Sequence, residues 1–233
     1  MNSEIIRAQY QAQAYTVIKC FKSKKNRVRL LQMIEVEKTA LIIEKVFSCY
    51  DQMQKELEIF NMMAALEIAT PICYGQIDNV LLYQYIEGQT LCEKLEAAEK
   101  VAQQTDNNKE KPDNEIVELI SKTIDWLNQF HEKTGYCLFD INLRNFIVQK
   151  NKIWAIDYED ARKLDKAVDF GRLLAFILTY DPSFTRWKIS LVEKIETYIK
   201  NNIDVVFSRV MQEKEKELLS IEKRREKLVG KAI

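Results

Sequence analysis

CLFDINLRNFIVQKNKIWAIDYEDA, residues 137–161, is the stretch on which the reading of the whole chain turns. Asp140 and Asn145 stand five apart, in the pattern D-x-x-x-x-N. Two short apolar runs follow, Phe146 to Val148 and Ile153 to Ile156, around the turn QKNK. Their length and flanks predict a strand pair, and Asp157 comes directly after it. A loop with a carboxylate and an amide, then a hairpin that returns a second carboxylate, brings three oxygen donors toward one point. Magnesium takes such donors, and a transferring phosphoryl group needs the magnesium. The competing reading is that D-x-x-x-x-N is a chance spacing and that both acids cap turns. The hairpin, with Asp157 in register behind it, weighs against that.

Upstream, the hydrophobic period is that of strands. Tyr15 to Phe21, Arg27 to Met33 and Thr39 to Phe47 are β-branched and aliphatic runs separated by SKKN and EVEK, which predicts an antiparallel meander. From Tyr50 to Leu66 the period becomes helical, with Met53, Leu57, Phe60, Met63 and Ala64 on one stripe. Ile72 to Ile77 and Val80 to Ile86 predict two more strands around Asp78-Asn79. EKVAQQTDNNKEKPDNE, 99–115, is polar, lacks an apolar period and predicts a mobile surface loop.

Downstream, helices dominate. Ile116, Ile120, Thr123, Leu127 and Phe130 mark one long helix. Phe170, Leu173, Leu174, Ile177 and Leu178 mark another that ends before Pro182. In AVDFGRLL, 167–174, no strand precedes Asp169, so its expected role is to cap this helix by accepting its first backbone N–H groups. Residues 184–229 are helical by period and heavily charged toward their end. For 212–227 a solvated surface helix is the plain reading.

In order and spacing, these motifs over residues 15–180 resemble the protein-kinase-like clan, most closely its aminoglycoside phosphotransferase and choline kinase branch. The resemblance implies an α+β, two-lobed protein-kinase-like fold. Residues 1–86 would be a small antiparallel lobe with one helix, and 87–233 a larger, mostly α lobe with a catalytic loop at 138–145. It implies ATP and magnesium as cofactors, Asp140 as the catalytic base and Asn145 and Asp157 as magnesium ligands. It implies a phosphate-binding lysine held by a helix glutamate. Lys45, on the face of the third strand with Leu41 and Ile43, is preferred to its rival Lys19. Glu56 is its partner, because a carboxylate on an apolar stripe needs a cation. The connector LLYQYIEG, 81–88, would meet adenine through the backbone of Gln84 and Ile86; without the resemblance it reads as an edge strand and turn. His131 matches a helix-end histidine of structural role, and Asp169 a residue that braces the catalytic loop.

The sequence departs from the clan at three places. Leu138-Phe139 stand where a histidine or arginine usually precedes the catalytic aspartate. FKSKKNRV, where a loop should cover the phosphates, has no glycine, and none occurs before Gly75. Backbone amides approach phosphate most closely where glycine allows it, so Ser23, Lys24, Lys25 and Asn26 would have to substitute through side chains. The metal triplet is Asp157-Tyr158-Glu159, without glycine.

D-I-N-L-R-N lacks the lysine that serine/threonine protein kinases carry two after the aspartate, and little chain separates Asp157 from the helix at Asp169. Both favour a small-molecule hydroxyl acceptor, a sugar, aminoglycoside or amino alcohol, over a protein. The alternatives are a catalytically inactive kinase-like module that binds a nucleotide or partner, and an atypical protein or lipopolysaccharide-sugar kinase. Composition sets the remaining bounds. Lys plus Arg and Asp plus Glu both total 35, so no global field draws the chain to nucleic acid or an anionic membrane. No apolar run suits a signal peptide or a membrane span, which makes cytoplasmic the default location and leaves a protein partner open. Five scattered cysteines without a C-x-x-C pair argue against disulfides and thiolate zinc, and are expected to be mostly buried.

Overall fold

The computed structural model describes residues 2–34, 40–104, 112 and 114–229. It is an α+β protein with an antiparallel main sheet, and the chain divides into two compact units, 1–87 with 154–161 and 88–153 with 162–233.

The first unit opens with α1 (Ser3–Gln11), an element the sequence reading did not anticipate. Asn2 caps it, its side chain accepting from Glu4 N at 2.8 Å. Strands β1 (Tyr15–Phe21), β2 (Arg27–Met33) and β3 (Leu41–Val46) form the meander, and the sheet is completed by β4 (Cys73–Ile77) and β5 (Val80–Gln84) in the order β1-β2-β3-β5-β4. Thr39 and the turn EVEK lie outside the described residues. The alternation of β3 gives the sheet two different faces. Ile42 joins Ile6 of α1, Leu31, Met33, Tyr74 and Leu82 in an apolar core. On the same face Glu44, fully buried, accepts from Arg29 Nε and Nη2, both at 2.6 Å, and from Tyr10 Oη at 2.7 Å. Ile43 and Lys45 take the opposite face. Helix α2 (Tyr50–Ala65) buries Met53, Glu56, Ile59, Phe60 and Met63. Phe60 stacks edge-on against Tyr158, ring centroids 5.0 Å apart, which helps to hold 154–161 in this unit. The segment bearing Asp157 therefore groups with the first unit, not with the C-terminal residues among which the sequence boundary at 86/87 placed it.

A small sheet of β6 (Gln89–Thr90), β7 (Phe146–Gln149) and β8 (Lys152–Ala155), in that order, lies in the second unit except for the last two residues of β8. The helices of this unit are α3 (Leu91–Gln104), α4 (Asn114–Thr134), α5 (Ala167–Thr179), α6 (Arg186–Asn202) and α7 (Phe207–Val229). At Gly88 the chain approaches β7 so closely that a Cβ would collide with the Val148 carbonyl oxygen, which fixes glycine there. Helix α5 is buried nearly all round, as befits a central helix. Its Gly171 lies against Val210, Glu213 and Lys214 of α7, and a side chain there would hold the two helices apart.

Three expectations are corrected. Residues 99–104 are not loop but the last turns of α3, because Glu99 is buried and pairs with Lys188 at 2.8 Å while Ala102 packs inward; 105–111 and 113 lie outside the described residues. Asp169 does not cap α5, which starts after Lys166; it stands inside the first turn and its carboxylate turns away to another loop. Only Cys92 and Cys137 are buried, whereas Cys20 and Cys49 are exposed on the β-rich unit.

Candidate active site

In the first unit, the strand β3 and helix α2 bring one cation and several anions together. Lys45 Nζ lies 2.7 Å from Glu56 Oε2, 2.8 Å from Asp157 Oδ1 and 3.1 Å from Glu159 Oε2. The side chains of Lys45 and Glu56 are almost wholly buried, and that of Asp157 is 38% exposed. Glu56 Oε2 also accepts from the backbone N–H of Tyr158 at 3.3 Å, which ties the segment Asp157-Tyr158-Glu159 to α2. Asp157 has φ of 71°, a left-handed conformation that aspartate tolerates better than most residues.

The electrostatics follow from this geometry. Burial pushes the Glu56 carboxyl up to about 7, even though Lys45 works to lower it. Burial works to lower the Lys45 ammonium, and the charges of Glu56 and Asp157 outweigh it and hold its pKa well above the ordinary value. The rival Lys19 is on exposed β1, with Nζ 5.0 Å from the centroid of the Phe21 ring. Gln84 donates its backbone N–H to Ile72 O at 2.8 Å, so that group is spent within the protein and is not open to adenine. Ile86 is buried beside it.

The glycine-free turn between β1 and β2 is held by side chains. Asn26 is buried, donates from Nδ2 to Glu159 Oε2 at 2.5 Å and accepts from Ser48 N at 3.2 Å. Lys25 Nζ lies 3.2 Å from Asp160 and 3.5 Å from Glu159. Asn26 was expected to face phosphate and Glu159 to stand in the triplet behind Asp157, but their pairing with each other was not expected. Glu159 had one signal, its place two residues after Asp157.

In the second unit, Asp140 and Asn145 share one braced loop. Asp169, fully buried, accepts from Leu138 N at 2.7 Å and Phe139 N at 3.0 Å, and its Oδ2 lies 2.8 Å from His131 Nε2. Phe139 has φ of 68°, costly for a bulky residue by about 1–3 kcal/mol. It is clamped by these bonds, by a hydrogen bond from Arg172 to its carbonyl, and by the guanidiniums of Arg162 and Arg172, each 3.6 Å from its ring centroid. Two cations thus pack against one ring.

After this turn the loop closes on itself. Asn142 Oδ1 accepts from Arg144 N at 3.0 Å and from Tyr180 Oη at 2.7 Å, and Leu143 N donates to Tyr180 Oη at 2.9 Å. Asn145 sits in a short 3-10 turn, Leu143–Asn145, its Nδ2 3.2 Å from Asp140 O and 3.4 Å from Asp140 Oδ2. The amide nitrogen of Asn145 is directed to Asp140, so its oxygen is the atom left to meet a cation. Within the first unit Glu56, Asp157 and Glu159 bring carboxylate oxygens close together, and oxygen is the donor a hard cation such as magnesium takes.

No helix among the described residues is long and apolar enough to cross a membrane. No protein-family model matches this chain, and a search of curated proteins finds no match to it in sequence.

Proposed function

We propose that the protein is an ATP- and magnesium-dependent phosphotransferase of two-lobed, protein-kinase-like fold, acting on a hydroxyl of a small molecule such as a sugar, aminoglycoside or amino alcohol. The observation that carries this reading is the buried Lys45–Glu56 pair with Asp157 at 2.8 Å from the same ammonium. A lysine buried against one carboxylate and beside a second, part-exposed one is suited to phosphate oxygens delivered with a cation.

In this reading Glu56 fixes Lys45, and Lys45 binds and orients the phosphates. Asp140 accepts the proton of the acceptor hydroxyl as its oxygen attacks the γ-phosphorus. The bond from that phosphorus to the bridging oxygen breaks, and ADP leaves. Asn145 and Asp157 would hold the magnesium, whose charge would neutralise that of the phosphates. Asp169, His131 and Tyr180 keep the Asp140 loop in one conformation, so that positioning need not be acquired during the reaction. A nucleotide-binding module without transfer is the second reading. It is favoured by the β1–β2 turn, which has no glycine and is tied down by Asn26 and Lys25.

The test is ATP turnover against a pooled panel of sugars, aminoglycosides and amino alcohols, with Asp140→Asn as control. Magnesium-dependent turnover that falls about 10²–10⁴-fold in the variant, at unchanged thermal midpoint, is the expected result. Absence of turnover, with no thermal shift on adding MgATP, sinks the enzyme. Nucleotide binding that survives Asp140→Asn with no acceptor found favours the module.

A further inference from the structure

Lys45 has three N–H donors, and three carboxylates stand around it at 2.7, 2.8 and 3.1 Å. Lys45 donates hydrogen bonds to Glu56 and Asp157, and Glu159 crowds the same ammonium as an ion pair, so a phosphate oxygen can reach it only by displacing a carboxylate. Glu56 cannot give way, being fully buried and tied to Tyr158 N as well. The other two can. Asp157 is part-exposed, and Glu159 has a second set of partners in Asn26 and Lys25 that would keep it in place after it left Lys45.

Resting on the phosphotransferase reading, we propose that Glu159 is a positioning residue that locks Lys45 against phosphate until a divalent cation draws off the competing carboxylates. Asp157, if it held a cation, would release Lys45 toward a nucleotide arriving with that cation. ATP without metal meets an amine already ion-paired with three carboxylates and a surplus of negative charge. Glu159 holds the lysine-rich β1–β2 turn through Asn26 and the lysine itself through Lys45, so one side chain couples the two parts that face an anionic ligand. The consequence is an order of events: nucleotide binding is metal-dependent because of Lys45, beyond the metal's own bonds to phosphate.

Metal-free ATP, in the presence of a chelator, is titrated calorimetrically into wild type, Glu159→Gln and Asp160→Asn. The first variant keeps an acceptor for Asn26 but removes the charge from Lys45. The second removes a neighbouring charge that contacts Lys25 and not Lys45. Glu159→Gln should bind metal-free ATP at least about fivefold more tightly than wild type, and Asp160→Asn should match wild type. The advantage of MgATP over ATP should shrink in Glu159→Gln alone. Equal or weaker binding of metal-free ATP by Glu159→Gln, while wild type binds MgATP, overturns the lock and leaves the phosphotransferase reading standing. A gain of the same size in Asp160→Asn also overturns it, because general charge relief then accounts for the effect. Failure of every form to bind ATP, with or without magnesium, removes both. Should Glu159→Gln not fold, Glu159→Asp, which keeps the charge but withdraws it from Lys45, is expected to give the same gain, and its failure to do so counts against the lock.

Discussion

Glu44 and Lys45 are consecutive on one strand, both buried, and each sits in an ion-pair cluster on its own face of the sheet. Around Glu44 the charges close. Arg29 grips it with two nitrogens, Tyr10 donates a third bond, and Arg27 stands at 3.9 Å at the rim. Around Lys45 they do not: one ammonium faces three carboxylates, and one of the three is open to solvent. A lone carboxylate whose oxygens are all met by donors has nothing left to bind and serves the fold. A cluster with surplus anions beside solvent is stable on its own terms only until a cation arrives, and that asymmetry separates the candidate site from its structural neighbour one residue away.

The comparison breaks most visibly on the structural side. Glu44→Ala leaves Arg29 without its partner and should lower the unfolding free energy by about 3–5 kcal/mol in a denaturant titration, the range for removing one member of a buried pair. MgATP affinity of the folded protein should stay within about twofold, because nothing on the Lys45 face has changed.

The two clusters should also differ in their response to pH. The folded Glu56 carboxyl keeps its proton up to about pH 7, whereas unfolded it loses it near its ordinary value of 4.5. Between these values the folded state binds more protons, so stability from this group is full below the unfolded pKa and falls as pH rises through the window. The loss is about 3 kcal/mol across it. Thermal or denaturant unfolding of wild type and Glu56→Gln at pH 4.5 to 7.5 should show the slope in wild type and lose it in the variant. An equal slope in both would place its origin elsewhere.

The sequence showed the Lys45 face better than the Glu44 face, and the reason is periodicity. LIIEKV is buried on both sides, so alternation could sort its residues into faces but could not show that Glu44 is as buried as Ile42. Glu56 was legible because a carboxylate on an apolar stripe demands a cation, and a candidate cation lay on the neighbouring strand. The bounds of β1 and β2 were legible to the residue because SKKN breaks the pattern sharply. Helix α1 was not, since its nine residues are too short a run for a helical period to stand out, although Ile6 is buried in the core with Tyr10 packed beside it. For Asp169 spacing suggested a cap on its own helix and the resemblance implied a brace for the loop upstream; a first-turn carboxylate can serve either, spacing cannot choose, and its bonds go to Leu138 and Phe139. Glu159 and Asn26 meet across 133 residues of chain, a pairing that no local pattern announces.

The contrast narrows finally to one binding experiment on adjacent residues. MgATP titrated calorimetrically into wild type, Lys45→Met and Glu44→Gln should bind wild type and Glu44→Gln alike and Lys45→Met at least about tenfold more weakly, a difference of about 1.4 kcal/mol. Undiminished binding by Lys45→Met, in a variant that remains folded, would contradict the assignment of this cluster as the phosphate site and with it the phosphotransferase account.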